Sequence, residues 1–451
     1  MKGDLTQGPV MKTMLWFAVP MILGNLLQQC YNVADTLIVG QFLGANPLAA
    51  VGSSYTLMTF LTSILLGLCM GSGAVFSIRF GQNDLDGMKE GMCASFVLIA
   101  VLTAVLTGAS FACLEWILRF QQVPPEVIGY MREYLLVIFC GIPATFLYNY
   151  FASLLRSVGN SVVPLVFLAV SAILNIGLDL WFVVGLNRGV AGAAEATVIS
   201  QYVSGIGIAL YTWFGFSDLR VKRRHFRIRW ICIKEITGFS ALTCVQQSVM
   251  NLGILMVQGL VNSFGPTVMA AFAAAVKIDS FAYMPVQDFG NAFSVFIAQN
   301  YGARQDQRIR RGLRGAVVTA MVFCLVISAG VWVLARPLLL IFVKPEETAI
   351  IAAGIQYLHI EGAFYCGIGC LFLLYGLYRA LGRPGVSVVL TVISLGTRVA
   401  LAYLLSAVPA FGVAGIWWSV PIGWFLADAA GLLYYRLRRR HLFSWQAAAV
   451  Q

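Results

Sequence analysis

The sequence predicts an all-α, polytopic membrane protein. Apolar runs long enough to span a bilayer recur from one end of the 451 residues to the other. Hydrophobic residues make up 59% and charged residues only 11%, more apolar surface than a soluble chain of this size could hide. The runs are continuous rather than alternating, which excludes a transmembrane β-barrel.

In order, the expected spans cover roughly 14–40, 48–80, 91–118, 127–155, 160–186, 189–216, 234–264, 267–301, 312–342, 346–380, 385–408 and 412–437, twelve in all. The first is too long and too polar for a signal peptide, and no small-residue cleavage site follows it. Lysine and arginine then sort by side. Lys2, Lys12, Arg79, Lys89, Arg156, the 220–234 segment, Arg304 to Arg314, Arg379, Arg383 and Arg436 to Arg440 fall on one side. Only Arg119, Arg132, Arg188, Arg336 and Lys344 fall on the other. The positive-inside rule puts the first side, with both termini, in the cytoplasm, and an even number of spans agrees. The expected location is the cell membrane. This sorting accounts for the net charge of +11, so no nucleic-acid partner is expected.

The two halves repeat each other. Gly44, Ala49, Ala50, Phe60, Gly81 and Gly91 meet Gly265, Ala270, Ala271, Phe281, Gly302 and Gly312 at an offset of 221. Arg156-Ser157-Val158-Gly159 meets Arg379-Ala380-Leu381-Gly382, and Gly189-Val190-Ala191-Gly192 meets Gly412-Val413-Ala414-Gly415, both at 223. Six spans fall in each copy, so both copies face the same way. The expected architecture is two six-helix lobes around a central cavity that opens alternately to each side. The lobes run 1–217 and 234–440, joined by a basic cytoplasmic linker at 218–233 and followed by a tail at 441–451. The linker, with DLRVKRRHFRIRW at 218–230, reads as a topology determinant resting on anionic lipid headgroups.

Within LNIGLDLWFV (174–183), Asn175 and Asp179 share one helical face inside an apolar span. Burying such groups in a bilayer costs roughly 3 kcal/mol on insertion scales, which marks them as functional candidates. The ten cysteines are scattered, with no CxxC and no Cys/His spacing for a metal, and read as small packing residues. His225, His359 and His441 give no in-membrane pair for a haem. With no P-loop and no catalytic triad, neither ATP hydrolysis nor another enzymatic activity is expected, and no cofactor.

RSVGNSVVP (156–164), LNIGLD (174–179) and GVAGAAEAT (189–197) resemble the N-lobe signature of the multidrug and toxic compound extrusion (MATE) exporters. AAAVKIDSFAYMPVQDFGNAFSVFIAQNYGA (273–303) is similar to the matching stretch of the C-lobe. The resemblance covers essentially the whole chain. It implies a monomeric exporter of small amphipathic compounds, coupled to a cation. One branch, of the DNA-damage-inducible protein F type, holds that cation in the N-lobe. The resemblance to that branch implies a coupling site of Asp35, Asn149, Asn175, Asp179 and Thr197. Tyr31, one turn before Asp35, and Pro20, which bends the first span in that branch, match as well. Other branches use a Glu in the seventh span and an acid in the middle of the tenth. Here the seventh span offers Gln246, Gln247 and Asn251, and the middle of the tenth offers no acid. Leu180 departs from the proline that often follows the fifth-span aspartate.

Two carboxylates held close in low dielectric cannot both ionise cheaply, so the Asp35/Asp179 pair would readily take up a proton. With Asn175 and Thr197 added, Asp35 and Asp179 equally resemble a Na⁺ site of hard oxygen ligands. The plainer reading of the cluster is polar glue between helices. Pro20 weakens the helical ladder and reads as a hinge or as a static kink. Other acids fall within spans, among them Glu195, Asp279, Asp288, Glu361 and Asp428. Glu195 is expected at the outer rim, Lys277 in a pair with a C-lobe acid or lining the cavity, and Asp428 in a pair near Arg436. Glu361, beside His359, is the C-lobe alternative for proton coupling. Aromatic and methionine side chains suit a cavity for flat amphipathic cations. The alternative within the superfamily is a lipid-linked oligosaccharide flippase. It calls for several cations deep in the spans, where only Lys277 and Arg398 lie.

Overall fold

The structure is a computed structural model and describes residues 3–120, 124–226 and 229–442. Every regular element among the described residues is helical. The helices are α1 (Val10–Leu43), α2 (Ala45–Gly81), α3 (Leu85–Ala112), α4 (Leu114–Phe120), α5 (Pro125–Ile138), α6 (Ile142–Ser157), α7 (Val162–Asp179) and α8 (Gly189–Gly215). After the linker come α9 (Trp230–Asn262), α10 (Pro266–Gly302), α11 (Asp306–Leu339), α12 (Thr348–Gly362), α13 (Tyr365–Ala380), α14 (Pro384–Ser406) and α15 (Gly412–Leu442). Ten segments among the described residues are long and apolar enough to cross a membrane, or eleven if α12 and α13, bent by 50°, form one broken span. The sixth expected span, 189–216, is the helix α8, which lies outside that set. It is long enough, but Glu195, Gln201 and its glycines and hydroxyls dilute its apolar character. The chain is thus a multi-pass membrane protein.

The repeat is visible in the backbone. Left-handed residues recur at the two offsets, Gly44 with Gly265 and Asn83 with Arg304 at 221, and Gly159 with Gly382 and Gly189 with Gly412 at 223. Helix starts follow the second offset, from Pro125 to Thr348 and from Ile142 to Tyr365. At Gly159 and Gly382 the chain leaves a helix with φ of 83° and 75°, a conformation that costs a residue with a Cβ about 1 kcal/mol or more. Side-chain caps start the following elements: Asp84 accepts from Gly87 N at 2.9 Å, and Asn160 from Val163 N at 3.1 Å.

The chain divides into two compact units. Unit 1 holds Leu23–Cys244 with the stretch up to Asp4, and unit 2 holds Leu5–Ile22 with Val245 onwards. The division therefore cuts inside α1 and α9 rather than at the loop limits 217 and 234. The reasons are local. Leu5 N donates to Gln299 Oε1 at 3.0 Å, and Arg308 donates to the carbonyls of Leu5, Gln7 and Gly8, tying the N-terminal stretch to α10 and α11. In unit 1, Ser72 on α2 bonds Ser240 on α9 at 2.9 Å, and Arg79 meets Glu235 at 2.6 Å. Unit 1 packs α3, α5 and α6 around α2, with Phe76, Phe96, Phe146 and Tyr150 as an aromatic knot. Unit 2 packs α11, α12 and α13 around α10.

The linker is held by protein as well as exposed to its surroundings. Arg224 and the buried His225 both meet Asp86 of α3, at 2.8 and 3.0 Å, and Arg229 meets Glu90 at 2.7 Å. His225 Nδ1 accepts from Lys222 N, so the neutral ring carries its proton on Nε2 and donates it to Asp86. The headgroup reading is thereby narrowed: Arg224, His225 and Arg229 serve acids of α3, while Lys222 and Arg223 stay exposed. Residues 227–228 of the linker and 443–451 of the tail lie outside the described residues. Asp86→Asn should release this strap. Trypsin cleavage at Arg223 and Arg224 is expected to quicken severalfold, with little change in melting temperature because the pairs are mostly exposed. An unchanged digestion rate would mean that these ion pairs do not hold the linker.

Candidate functional site

Four of the residues singled out by sequence meet in unit 1. Asn175 and Asp179 sit on the last turns of α7, 2% and 0% exposed, because the apolar faces of that helix turn outward at Ile173 and Val170. Asp35, from the C-terminal third of α1, lies against Asp179. Thr197, on the third turn of α8, accepts a bond from Asn175 Nδ2 at 3.3 Å and donates its own proton to Ala193 O at 3.1 Å.

What these groups leave open is more telling than what they bond. Asp35 Oδ1, Asn175 Oδ1 and both oxygens of Asp179 are buried without a hydrogen-bond donor. An unpaired buried carboxylate is costly, and two side by side more so, unless a positive charge joins them. The cluster thus offers unpartnered hard oxygens to a proton or a small cation. Helix geometry shapes it further. Directly after Asp179 the chain winds into a π-helical segment, Leu180–Gly185, at the point where Leu180 replaces the expected proline. Such a wide turn frees backbone groups and is often found at functional sites.

The remaining candidates fall in different places. Tyr31 lies within electrostatic range of Asp35 and bonds Gln28 on its own helix. Asn149 Nδ2 donates to Thr145 O at 2.8 Å, a bond within α6. Pro20 is buried in α1, two residues before the helix passes from unit 2 to unit 1. Tyr134 of α5 was not singled out, yet it is 7% exposed and lies in electrostatic range of Asp35, Asp179 and Tyr31. A lone tyrosine in an apolar span gives no sequence signal of that placement.

Several expectations are corrected. Lys277 pairs with no acid among the described residues; it is exposed and its ammonium lies 5.8 Å from the Phe342 ring. The spacing alone could not tell which face of α10 it would take. Asp428 is buried at 6% exposure beside Cys370, whereas Arg436 is exposed. Glu195 pairs with the exposed Arg188 at 2.6 Å. His359 stacks on Trp332 and bonds its carbonyl, turned away from Glu361.

The MatE family model matches residues 20–181 and 242–404, one stretch in each half. The chain belongs to the MatE family. Among MatE relatives, the "Probable multidrug resistance protein YpnP" of Bacillus subtilis (strain 168) is 32% identical over 441 residues, 97% of each chain. A MATE crystallised in complex with MaL6 shares the fold at a TM-score of 0.92, with 23% identity over 98% of this chain and 99% of that one. An outward-facing multidrug resistance MATE transporter of the MOP superfamily aligns at 0.91, with 24% identity and the same coverage. The two-segment match agrees with the repeat that divides this MatE chain into halves.

Proposed function

We propose that the protein is a secondary active antiporter that exports amphipathic, cationic compounds in exchange for H⁺ or Na⁺ by alternating access. The observation that carries this reading is the buried Asp35/Asp179 pair with its unpartnered oxygens. A coupling ion must change the relative stability of two states, and a site that is costly when empty and relieved when filled does that. With the cation bound, the carboxylates no longer repel, and α1 can bend near Pro20. The names of relatives support the substrate class: one is a probable multidrug resistance protein, and another, from Staphylococcus aureus, is a multidrug export protein. The flippase alternative calls for several cations deep in the spans, where the sequence offers only Lys277 and Arg398.

Everted vesicles carrying the protein should take up a fluorescent cation when a pH or Na⁺ gradient is imposed, and lose uptake when both gradients are collapsed. Uptake that needs ATP and ignores both gradients would overturn the antiport reading.

The same reading places both termini and the linker in the cytoplasm of the cell membrane. Arg223 is exposed and is the apt probe, since His225 is buried. In a background without the ten native cysteines, Arg223→Cys should react with an impermeant maleimide in everted vesicles and not in intact cells. Labelling in sealed cells would invert the topology.

A further inference from the structure

Unit 2 contains a second buried carboxylate pair that the antiport reading leaves unused. Asp279 on α10 is 5% exposed and Glu361 on α12 is 1% exposed. The Tyr357 hydroxyl stands between them, 2.9 Å from Glu361 Oε2 and 3.4 Å from Asp279 Oδ2. One hydroxyl has a single proton to donate, so it serves one carboxylate at a time. Glu361 Oε1 is buried without a hydrogen-bond partner, and the 1% exposed Tyr365 hydroxyl faces Asp279. Trp417 of α15 closes the cluster, packed edge-on against Tyr357 and stacked on Phe272 at 5.5 Å.

The charges do not balance. The groups that face the pair are Tyr283 from α10, Tyr357 from α12, Tyr365 from α13 and Arg398 from α14. Arg398 is the one cation among them. Two carboxylates and one guanidinium leave a surplus negative charge away from water, which one more positive charge would cancel. The helix geometry adds to the demand. Glu361 lies in the last turn of α12, at the 50° break before α13, where the carbonyl end of the helix disfavours an anion. Broken spans of this kind commonly frame ion sites.

The repeat says which positive charge fits. At the offset of 223 that joins α5 to α12, Tyr357 stands where unit 1 has Tyr134, and Arg398 stands where it has Asn175. Unit 2 thus carries a fixed cation where unit 1 has a neutral amide. That guanidinium removes an oxygen ligand and repels a metal ion, whereas a proton needs only one carboxylate oxygen. We infer that Asp279 and Glu361 form a second, exchangeable proton-binding site in unit 2, bridged by Tyr357 and counter-charged by Arg398. The inference goes beyond the antiport reading and does not depend on it.

Infrared difference spectroscopy of the purified full-length protein tests it without any transport step. The double variant Asp35→Asn/Asp179→Asn serves as background, so that the unit 1 pair is silent. A carbonyl stretch of a protonated carboxylic acid should disappear as pH rises and shift in D₂O. It should be lost in both Glu361→Gln and Asp279→Asn, which are near-isosteric and keep the packing. In Arg398→Gln the band should persist to higher pH, because the counter-charge that favours ionisation is gone. A band indifferent to both carboxylate substitutions would overturn the site. One that neither titrates nor exchanges would make it a permanent structural proton, and one displaced by Na⁺ at constant pH would make it a metal site; either result contradicts the inference.

Discussion

Asp179→Asn should insert and fold with undiminished heat stability, yet lose concentrative efflux by more than about tenfold. Asp179 is fully buried, and neither of its oxygens has a hydrogen-bond donor. An amide of the same shape removes an unpaired charge that burial penalises, so the folded state gains rather than loses. The variant then resembles the cation-filled state permanently, and the ion gradient has nothing left to act on. Asp35→Asn should behave alike, because its carboxylate lies against the same partner. Downhill substrate exchange is expected to survive in both. Drug susceptibility of cells at matched protein level, with melting curves of the purified variants, checks the pair of claims. A variant that melts far below wild type would return the cluster to the role of helix glue.

The second large effect is structural. Gly67 and Gly71 on α2 form a small-xxx-small stripe against α9. A Cβ at Gly71 would lie 2.5 Å from Phe239 O, and one at Gly67 would lie 2.5 Å from Cys244 Cα, both rigid helical backbone. Gly71→Val should therefore cost about 1–3 kcal/mol through forced separation of the helices. The expected readout is a melting temperature several degrees lower and a smaller monodisperse peak in size-exclusion chromatography. Gly108→Ala is the control, since nothing lies within 4 Å of the place its added methyl carbon would take. Equal behaviour of the two variants would show that α2 and α9 are not in close contact.

Much of this arrangement can be read in the sequence, for identifiable reasons. Glycines that must turn left-handed leave a fixed mark, so the offsets from Gly44 to Gly265 and from Gly159 to Gly382 already trace the repeat. Asn175 and Asp179 declare themselves through helical spacing inside an apolar run. Orientation about a helix axis is harder. Lys277 and Asp279 are two residues apart, and only packing decides that the lysine is exposed while the aspartate is buried. The unit 2 cluster draws on α10, α12, α13 and α14, and its members are too far apart in sequence to suggest one another. Its local clues are a tyrosine one turn from each acid, Tyr357 before Glu361 and Tyr283 after Asp279. The linker holds a similar lesson. Its cations look destined for lipid, yet Asp86 and Glu90, four apart on one face of α3, are spaced to receive them.

The central claim is that the Asp35/Asp179 pair binds the coupling ion. Its most direct test uses purified protein in proteoliposomes, with an imposed pH gradient or Na⁺ gradient and a fluorescent cation as cargo. Wild-type protein should accumulate the cation against its gradient under at least one of the two, while Asp35→Asn and Asp179→Asn should only equilibrate it. Wild-type accumulation by both variants would contradict the account.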